Sequence, residues 1–407
     1  MDEAIKARNA AKLHLTSQQK NQLLENIANR LQRDKISILE ANRKDLIEAK
    51  KKGKNAAFLQ RLTLSENHIE EMIQGIQTII SLDDPIGKVL SEKTLQNGLL
   101  LKKVTVPLGV VLIIYESRPN VTIDVSVICI KSGNCVILKG GSDAGNSNQA
   151  LFSCIRGALK EENLPEDLVQ LMGNDHDEVA ELLQRDDLID VVIPRGGKGL
   201  IETVVKNSRI PIIKHFEGVC TIFVDKAADF RKAISIIINA KAQKPSACNA
   251  VENLLVHRKI KESFLVLLKE ACDKENIELK GCLETRKSID IALATDEDYR
   301  TEYLEKILSI KIVEDVGEAI EFIAMYGSNH SDAIITEDDD VAARFLQAID
   351  SAAVYHNAST RFTDGGCFGM GCEIGISTQK LHARGPMGLE EMTSYKYVIL
   401  GEGQIRM

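Results

Sequence analysis

Gly109-Val110-Val111-Leu112-Ile113-Ile114-Tyr115 is an almost unbroken apolar run of strand length. A strand with one wet face would alternate apolar and polar residues. A strand of a parallel sheet, buried on both faces, has no polar side to show. The reading of this run therefore sets the fold, and its neighbours agree with it. Residues 121–131 read as a helix and Cys135-Val136-Ile137-Leu138-Lys139 as a second strand. A helix over 147–161, a strand over 168–172, a helix over 177–184, a strand over 189–194, a helix over 200–208 and a strand over 210–214 follow. Strand–helix alternation with short connections predicts a doubly wound parallel α/β sheet. A second alternating block runs from Cys220 to about residue 357, with strands expected near 220–224, 252–256, 309–313 and 333–335. Residues 1–80 read as helices, with Thr16-Ser17-Gln18-Gln19 as an N-terminal cap and Gly53 as a stop. Residues 98–107 and the terminal Tyr395-Lys396-Tyr397-Val398-Ile399-Leu400 read as further strands.

A chain of 407 residues is long for one core and suggests two domains. With 44% hydrophobic and 27% charged residues it has the make-up of a globular protein. Trp is absent, so the core rests on Ile, Leu, Val and Ala. The net charge of -8 and the scattered Lys and Arg argue against a nucleic-acid surface. Nine cysteines with no Cys-x-x-Cys pair fit neither a disulfide framework nor a zinc site, so no metal is expected. The opening Met1-Asp2-Glu3-Ala4-Ile5-Lys6 has no apolar signal core, and no stretch reaches membrane-spanning length. No membrane association and a cytoplasmic location are expected.

Three segments carry chemistry. In Lys244-Pro245-Ser246-Ala247-Cys248-Asn249-Ala250 a cysteine follows turn formers and precedes an apolar run. That is the setting of a side chain presented by a rigid scaffold, and equally of a small buried hydrophobe. To act as a nucleophile it needs N–H donors or positive charge to favour the thiolate, since a free thiol has a pKa of about 8.5. Lys139-Gly140-Gly141-Ser142-Asp143 and Pro194-Arg195-Gly196-Gly197-Lys198-Gly199 each stand where a strand ends. Paired glycines admit a ligand close to the backbone, and a helix starting near Gly199 would aim its N–H groups at phosphate. Two ordinary strand-to-helix turns fit the same residues. The Gly-x-Gly-x-x-Gly fingerprint is absent.

Taken in order, Pro107-Leu108-Gly109-Val110-Val111, the two glycine loops, His215-Phe216-Glu217-Gly218 and Cys248 resemble the aldehyde dehydrogenase superfamily. Further blocks resemble its gamma-glutamyl phosphate reductase (glutamate-5-semialdehyde dehydrogenase) family. They are Tyr115-Glu116-Ser117-Arg118-Pro119-Asn120, Asn357-Ala358-Ser359-Thr360-Arg361-Phe362 and a long stretch over 373–386. The resemblance implies an aldehyde dehydrogenase-like fold of two Rossmann-like α/β/α domains plus a small β oligomerisation element. The cofactor domain would cover 1–97 and 108–217, the oligomerisation element 98–107 and 390–407, and the catalytic domain 218–389.

The resemblance also implies the chemistry: NADPH-dependent reduction of L-glutamyl 5-phosphate to L-glutamate 5-semialdehyde, the second step of proline biosynthesis. Cys248 would be the nucleophile and Asn120 a donor to the oxyanion. Arg361 and Ser359, with Arg118 second, would hold the amino-acid end, and His215 would either meet phosphate or simply cap the strand. Neither His215 nor Glu217 is expected to act as a hydrolytic base. Lys139, Ser142, Arg195, Gly196, Gly197, Lys198 and Glu302 would bind the cofactor. No acidic residue follows Lys139 until Asp143, and Arg195 is near, so NADPH is favoured over NADH. A homo-oligomer and a functional association with glutamate 5-kinase are further implications.

Overall fold

The computed structural model describes residues 1–173, 176–214 and 217–406, and the chain divides into two compact units. The first comprises residues 1–214, 369–375 and 386–407; the second comprises 215–368 and 376–385. Among the described residues no helix is long and apolar enough to cross a membrane.

The first unit is built on the quoted run. Val110–Tyr115 is a strand buried at every position. It lies in a four-stranded parallel sheet ordered Val169–Leu171, Cys135–Gly140, Val110–Tyr115, Val191–Arg195. Gly109 opens the strand with φ +125, and a Cβ there would lie 2.0 Å from Asp190 Oδ2, so only glycine fits. The chain goes from Val110–Tyr115 to one neighbouring strand and returns later on the other side. The strand ends therefore meet at a topological switch point, the usual place for a ligand in such sheets. Tyr115 is level with both Gly140 and Arg195, which brings the loops after all three strands together.

Helices cover this sheet. Ser17–Arg33 starts with the expected cap, Thr16 accepting from the Gln19 N–H while Gln19 accepts from the Thr16 N–H. It buries Leu23, Leu24, Ile27 and Leu31 on one face. Lys35–Lys51 ends just before Gly53, which takes the left-handed conformation at φ +71. A separate antiparallel sheet joins Val89–Thr94, Leu100–Pro107 and Thr393–Leu400.

The second unit holds seven parallel strands in the order Ala292–Leu293, Glu278–Gly281, Ile307–Val313, Val251–His257, Cys220–Val224, Ser331–Ile335, Ala353–His356. Val251–His257 is buried throughout and feeds both faces. Leu254 and Val256 join a cluster with Phe264 and Leu268, while Leu255 joins another with Phe322 and Phe345. This is the two-sided burial that a parallel sheet demands.

Three expectations are amended. Residues 210–214 form no strand; Ile212 makes one isolated parallel bridge to Val192. Strands Val89–Thr94, Glu278–Gly281 and Ala353–His356 were not foreseen. Segments 369–375 and 386–389, expected in the catalytic domain, pack with the first unit. Close approach accounts for this: a Cβ on Gly371 would crowd Thr78, and one on Gly375 would lie within 2.4 Å of Arg195 Nη1.

Candidate active site

In the second unit Cys248 sits in a tight turn between helix Phe230–Ala242 and strand Val251–His257. The Ala247 N–H donates to Lys244 C=O, and the Ala250 N–H to Ala247 C=O at 2.9 Å. The next residue fixes the turn to another segment. Asn249 is buried, and its Nδ2 donates to Thr363 C=O (2.8 Å) and Arg361 C=O (3.3 Å). Thr360 Oγ1 donates back to Asn249 C=O at 2.7 Å. From below, Cys220 Sγ donates to Cys248 C=O at 3.3 Å. Gly218 is packed so closely that a Cβ there would fall 1.9 Å from that same carbonyl oxygen. Cys248 itself remains partly exposed. The scaffold thus holds the backbone of the cysteine from three sides and leaves its side chain accessible, the arrangement of a nucleophile rather than of a core residue.

The segment clamped to the turn carries Arg361 and Ser359, so the structure brings these two expected residues to Cys248. Burial pushes the Arg361 guanidinium down from its ordinary pKa, and the Cys248 sulfur is within its electrostatic reach. Its Nε donates to Gln243 Oε1 at 2.8 Å, which orients the fork. Ser359 is buried, and its hydroxyl accepts from the Arg361 N–H, closing the short turn that presents the arginine.

Glu302 lies in the same unit. It accepts from the Gly218 N–H, and burial raises its pKa. Its loop is anchored one step away: Leu304, at φ +57, donates its N–H to Glu252. Glu252 is fully buried against Lys241, and burial drives both partners toward their neutral forms. Nothing in the sequence marked this pair, because each residue alone is an ordinary helix lysine or strand glutamate. His215 lies outside the described residues.

In the first unit the loops at the strand ends border a cavity of about 490 Å³. Lys139, Gly140, Gly141 and Ser142 form its floor, and Leu183, Leu200 and Val204 an apolar wall. Lys139 is buried, donates to Gly140 C=O at 3.1 Å and has its pKa lowered by that burial. Arg195, Gly196, Gly197 and Lys198 do not line this cavity. Arg195 instead packs beside Gly375 and faces Asp124, whose pKa burial raises to about 6. The start of helix Lys198–Asn207 already receives an anion: Glu116 Oε2 accepts from the Gly197 N–H at 2.9 Å. A carboxylate from the protein stands where a ligand phosphate would bind. The apolar wall, the glycine floor and this anion position fit a phosphorylated nucleotide. Glu116 was given no role from the sequence, although it lies in a block that was singled out.

Asn120 and Arg118 also belong to the first unit. Asn120 begins helix Val121–Lys131, and its Nδ2 donates to Asp124 Oδ2 at 2.8 Å. Arg118 is exposed. Among the described residues no cluster of His, Cys, Asp and Glu is arranged to hold a metal ion.

Comparison with known proteins places these features in context. The aldehyde dehydrogenase family model matches residues 1–284. The gamma-glutamyl phosphate reductase of Carboxydothermus hydrogenoformans is 51% identical over 414 residues, with all of each chain covered. The crystal structure of gamma-glutamyl phosphate reductase from Thermotoga maritima superposes with a TM-score of 0.97 at 47% identity, covering 100% of this chain and 99% of that one. An acetylating aldehyde dehydrogenase from Geobacillus thermoglucosidasius shares the fold at 17% identity, with a TM-score of 0.70 over 100% of this chain and 97% of its own.

Proposed function

Because this chain belongs to the aldehyde dehydrogenase family, and within it to the gamma-glutamyl phosphate reductases, we propose that it reduces L-glutamyl 5-phosphate to L-glutamate 5-semialdehyde and phosphate through a thioester on Cys248, with NADPH as reductant. This is the second step from glutamate toward proline. The observation that carries the reading is the Cys248 turn, clamped by Asn249 and Thr360 to the segment that presents Arg361.

In this reading Cys248 Sγ attacks the acyl carbon and phosphate departs with the electron pair of the C–O bond. A thioester accepts hydride far more readily than a carboxylate, which is the reason for the covalent stage. A nicotinamide dinucleotide, when bound, would supply that hydride, and Cys248 would then carry the acyl group as a thiohemiacetal. Collapse of the thiohemiacetal re-forms the thiolate and releases the aldehyde. The Cys248 N–H and Asn120 Nδ2 are the proposed donors to the oxyanion, where one donor is worth about 2.7–4 kcal/mol. The Arg361 fork matches the α-carboxylate of the glutamyl group, with Ser359 fixing its turn and Arg118 a second candidate. Lys139 and Ser142, on the cavity floor, would hold the dinucleotide; the Gly196-Gly197 turn, outside that lining, would take a phosphate only on release of the Gly197 N–H by Glu116, and Glu302 would orient the nicotinamide ribose.

Tyr395, Tyr397 and Ile399 point to one side of the small antiparallel sheet and are 49%, 56% and 57% exposed. Apolar groups left this open support assembly with further copies of the chain through that sheet.

Phosphate dependence tests the proposal. Oxidation of glutamate 5-semialdehyde by NADP should rise hyperbolically with inorganic phosphate and fall below about one-hundredth of its maximum without it, because phosphate must take the acyl group from sulfur. A rate independent of phosphate would instead mean that water releases the acyl group, as in a hydrolytic aldehyde dehydrogenase.

A further inference from the structure

We propose that Lys54 and Arg61, which lie outside the nucleotide-binding sheet, recognise the 2′-phosphate of the dinucleotide and set the preference for NADPH over NADH. The inference rests on the reading above, that the cavity of the first unit takes a nicotinamide dinucleotide.

The cavity is polarised. Its apolar wall, Leu183, Leu200 and Val204, suits a flat base. Its floor lies at the end of strand Cys135–Gly140, so the ribose of a base seated on that wall lies over Gly140 and Gly141. In dinucleotide folds an acid beyond a strand end accepts from the ribose 2′-hydroxyl and selects against a phosphate there, whereas an arginine accommodates the phosphate. Two acids line the cavity: Glu116, whose carboxylate accepts from the Gly197 N–H, and Asp143, which stands beyond the end of strand Cys135–Gly140 in the place of that acid. Taken alone Asp143 would specify NADH.

Asp143 is not available for that role. Lys52 Nζ lies 2.8 Å from its Oδ1 and Lys54 Nζ lies 2.8 Å from its Oδ2. The hydrogen bond from Lys52, with that from Lys54, holds the carboxyl below its ordinary pKa. Both lysines come from the end of helix Lys35–Lys51 and the loop after it, so one carboxylate is overmatched by two cations. Lys54 is further placed by the Phe58 ring, 4.5 Å away, and lines the cavity.

Arg61, on helix Ala56–Leu62, lines the same cavity. It is exposed, and no ion pair or hydrogen bond engages its guanidinium among the described residues. The carboxylate that would repel a phosphate is thus neutralised, and an uncommitted guanidinium faces the same space. Lys139 is a poorer partner for the phosphate, since it is buried and donates to Gly140 C=O.

Isothermal titration calorimetry at fixed ionic strength, with adenosine 2′,5′-bisphosphate and 5′-AMP as probes, isolates the 2′-phosphate, the only group by which the two differ. The wild-type chain should bind the bisphosphate at least tenfold more tightly. In Arg61→Gln that ratio should fall roughly tenfold, as expected for one lost charge-assisted contact. In Lys54→Met/Arg61→Gln it should approach one, with 5′-AMP affinity within about twofold of wild type. Arg61→Gln removes an exposed group with no partner among the described residues, so it keeps the test decisive if the double variant fails to fold.

A wild-type ratio above ten that survives in Arg61→Gln and in the folded double variant would overturn the inference and leave the NADPH reading intact. Equal loss of both probes would also overturn it, since Lys54 and Arg61 would then only shape the cavity. A wild-type ratio near one would overturn the NADPH reading together with the inference.

Discussion

Cys248→Ala should lower kcat for acyl-phosphate reduction by about 10⁴-fold or more, the scale on which loss of a covalent nucleophile is felt. Affinity for 5′-AMP should not change, because the nucleotide cavity is lined by residues of the other unit. Burial disqualifies Cys220 as a substitute. Cys220 is the cysteine bonded to the same turn, but its sulfur is spent on the Cys248 carbonyl and burial pushes its pKa far up, so it supplies no thiolate. The Cys248 site differs in being partly open, where Cys220 is buried. Steady-state rates alongside calorimetry check both halves. Residual turnover above about one-hundredth of wild type would remove Cys248 from the chemistry.

Gly218→Ala should cost about 100-fold in kcat without touching any reacting atom. A Cβ at this position would meet the Cys248 carbonyl oxygen at 1.9 Å, its carbonyl carbon at 2.7 Å and its Cα at 2.9 Å. These are backbone atoms and cannot swing away as a side-chain tip would. Cys248 is also tied through Asn249 to Thr363 and Arg361, so it cannot yield alone. The added methyl must displace the turn by an ångström or more, and a shift of that size costs a reaction on the order of 10² in rate. The Gly218 N–H to Glu302 contact should be disturbed as well. Kinetics and thermal melting together check this. A variant melting near wild type with kcat within about threefold would mean that the turn is far more compliant than its packing implies.

Much of the fold was legible, and physically for one reason. Runs such as Val110–Tyr115 and Cys135–Gly140 are apolar on both faces, and only a covered parallel sheet tolerates that. Local caps were equally readable: Thr16 and Gly53 do what their side chains, or lack of one, allow. The missed strands carry no such signal. Val89–Thr94 is exposed at all six positions and holds its place through backbone pairing to Leu100–Pro107. Ala353–His356 is only half-buried at the edge of its sheet.

The candidate site divides the same way. Cys248 stood out because its short motif is dense in turn formers around one thiol, whereas Arg361 came forward only through the family resemblance of the block 357–362. The roles of Gly218, Glu116 and Lys54 depend on contacts across long stretches of sequence, and no local pattern announces a charged residue on an ordinary helix end. Arg195 shows the converse: it sits beside a glycine loop, yet its side chain packs toward Asp124 and Gly375.

Rapid quenching of the enzyme with L-glutamyl 5-phosphate in the absence of reductant, followed by peptide mass spectrometry, looks for the covalent stage itself. A glutamyl group should appear on the peptide containing Cys248, in an amount approaching one per chain, and should vanish on addition of NADPH as an equal amount of semialdehyde forms. An adduct confined to any other side chain, or turnover with no adduct at all, would contradict the thioester route.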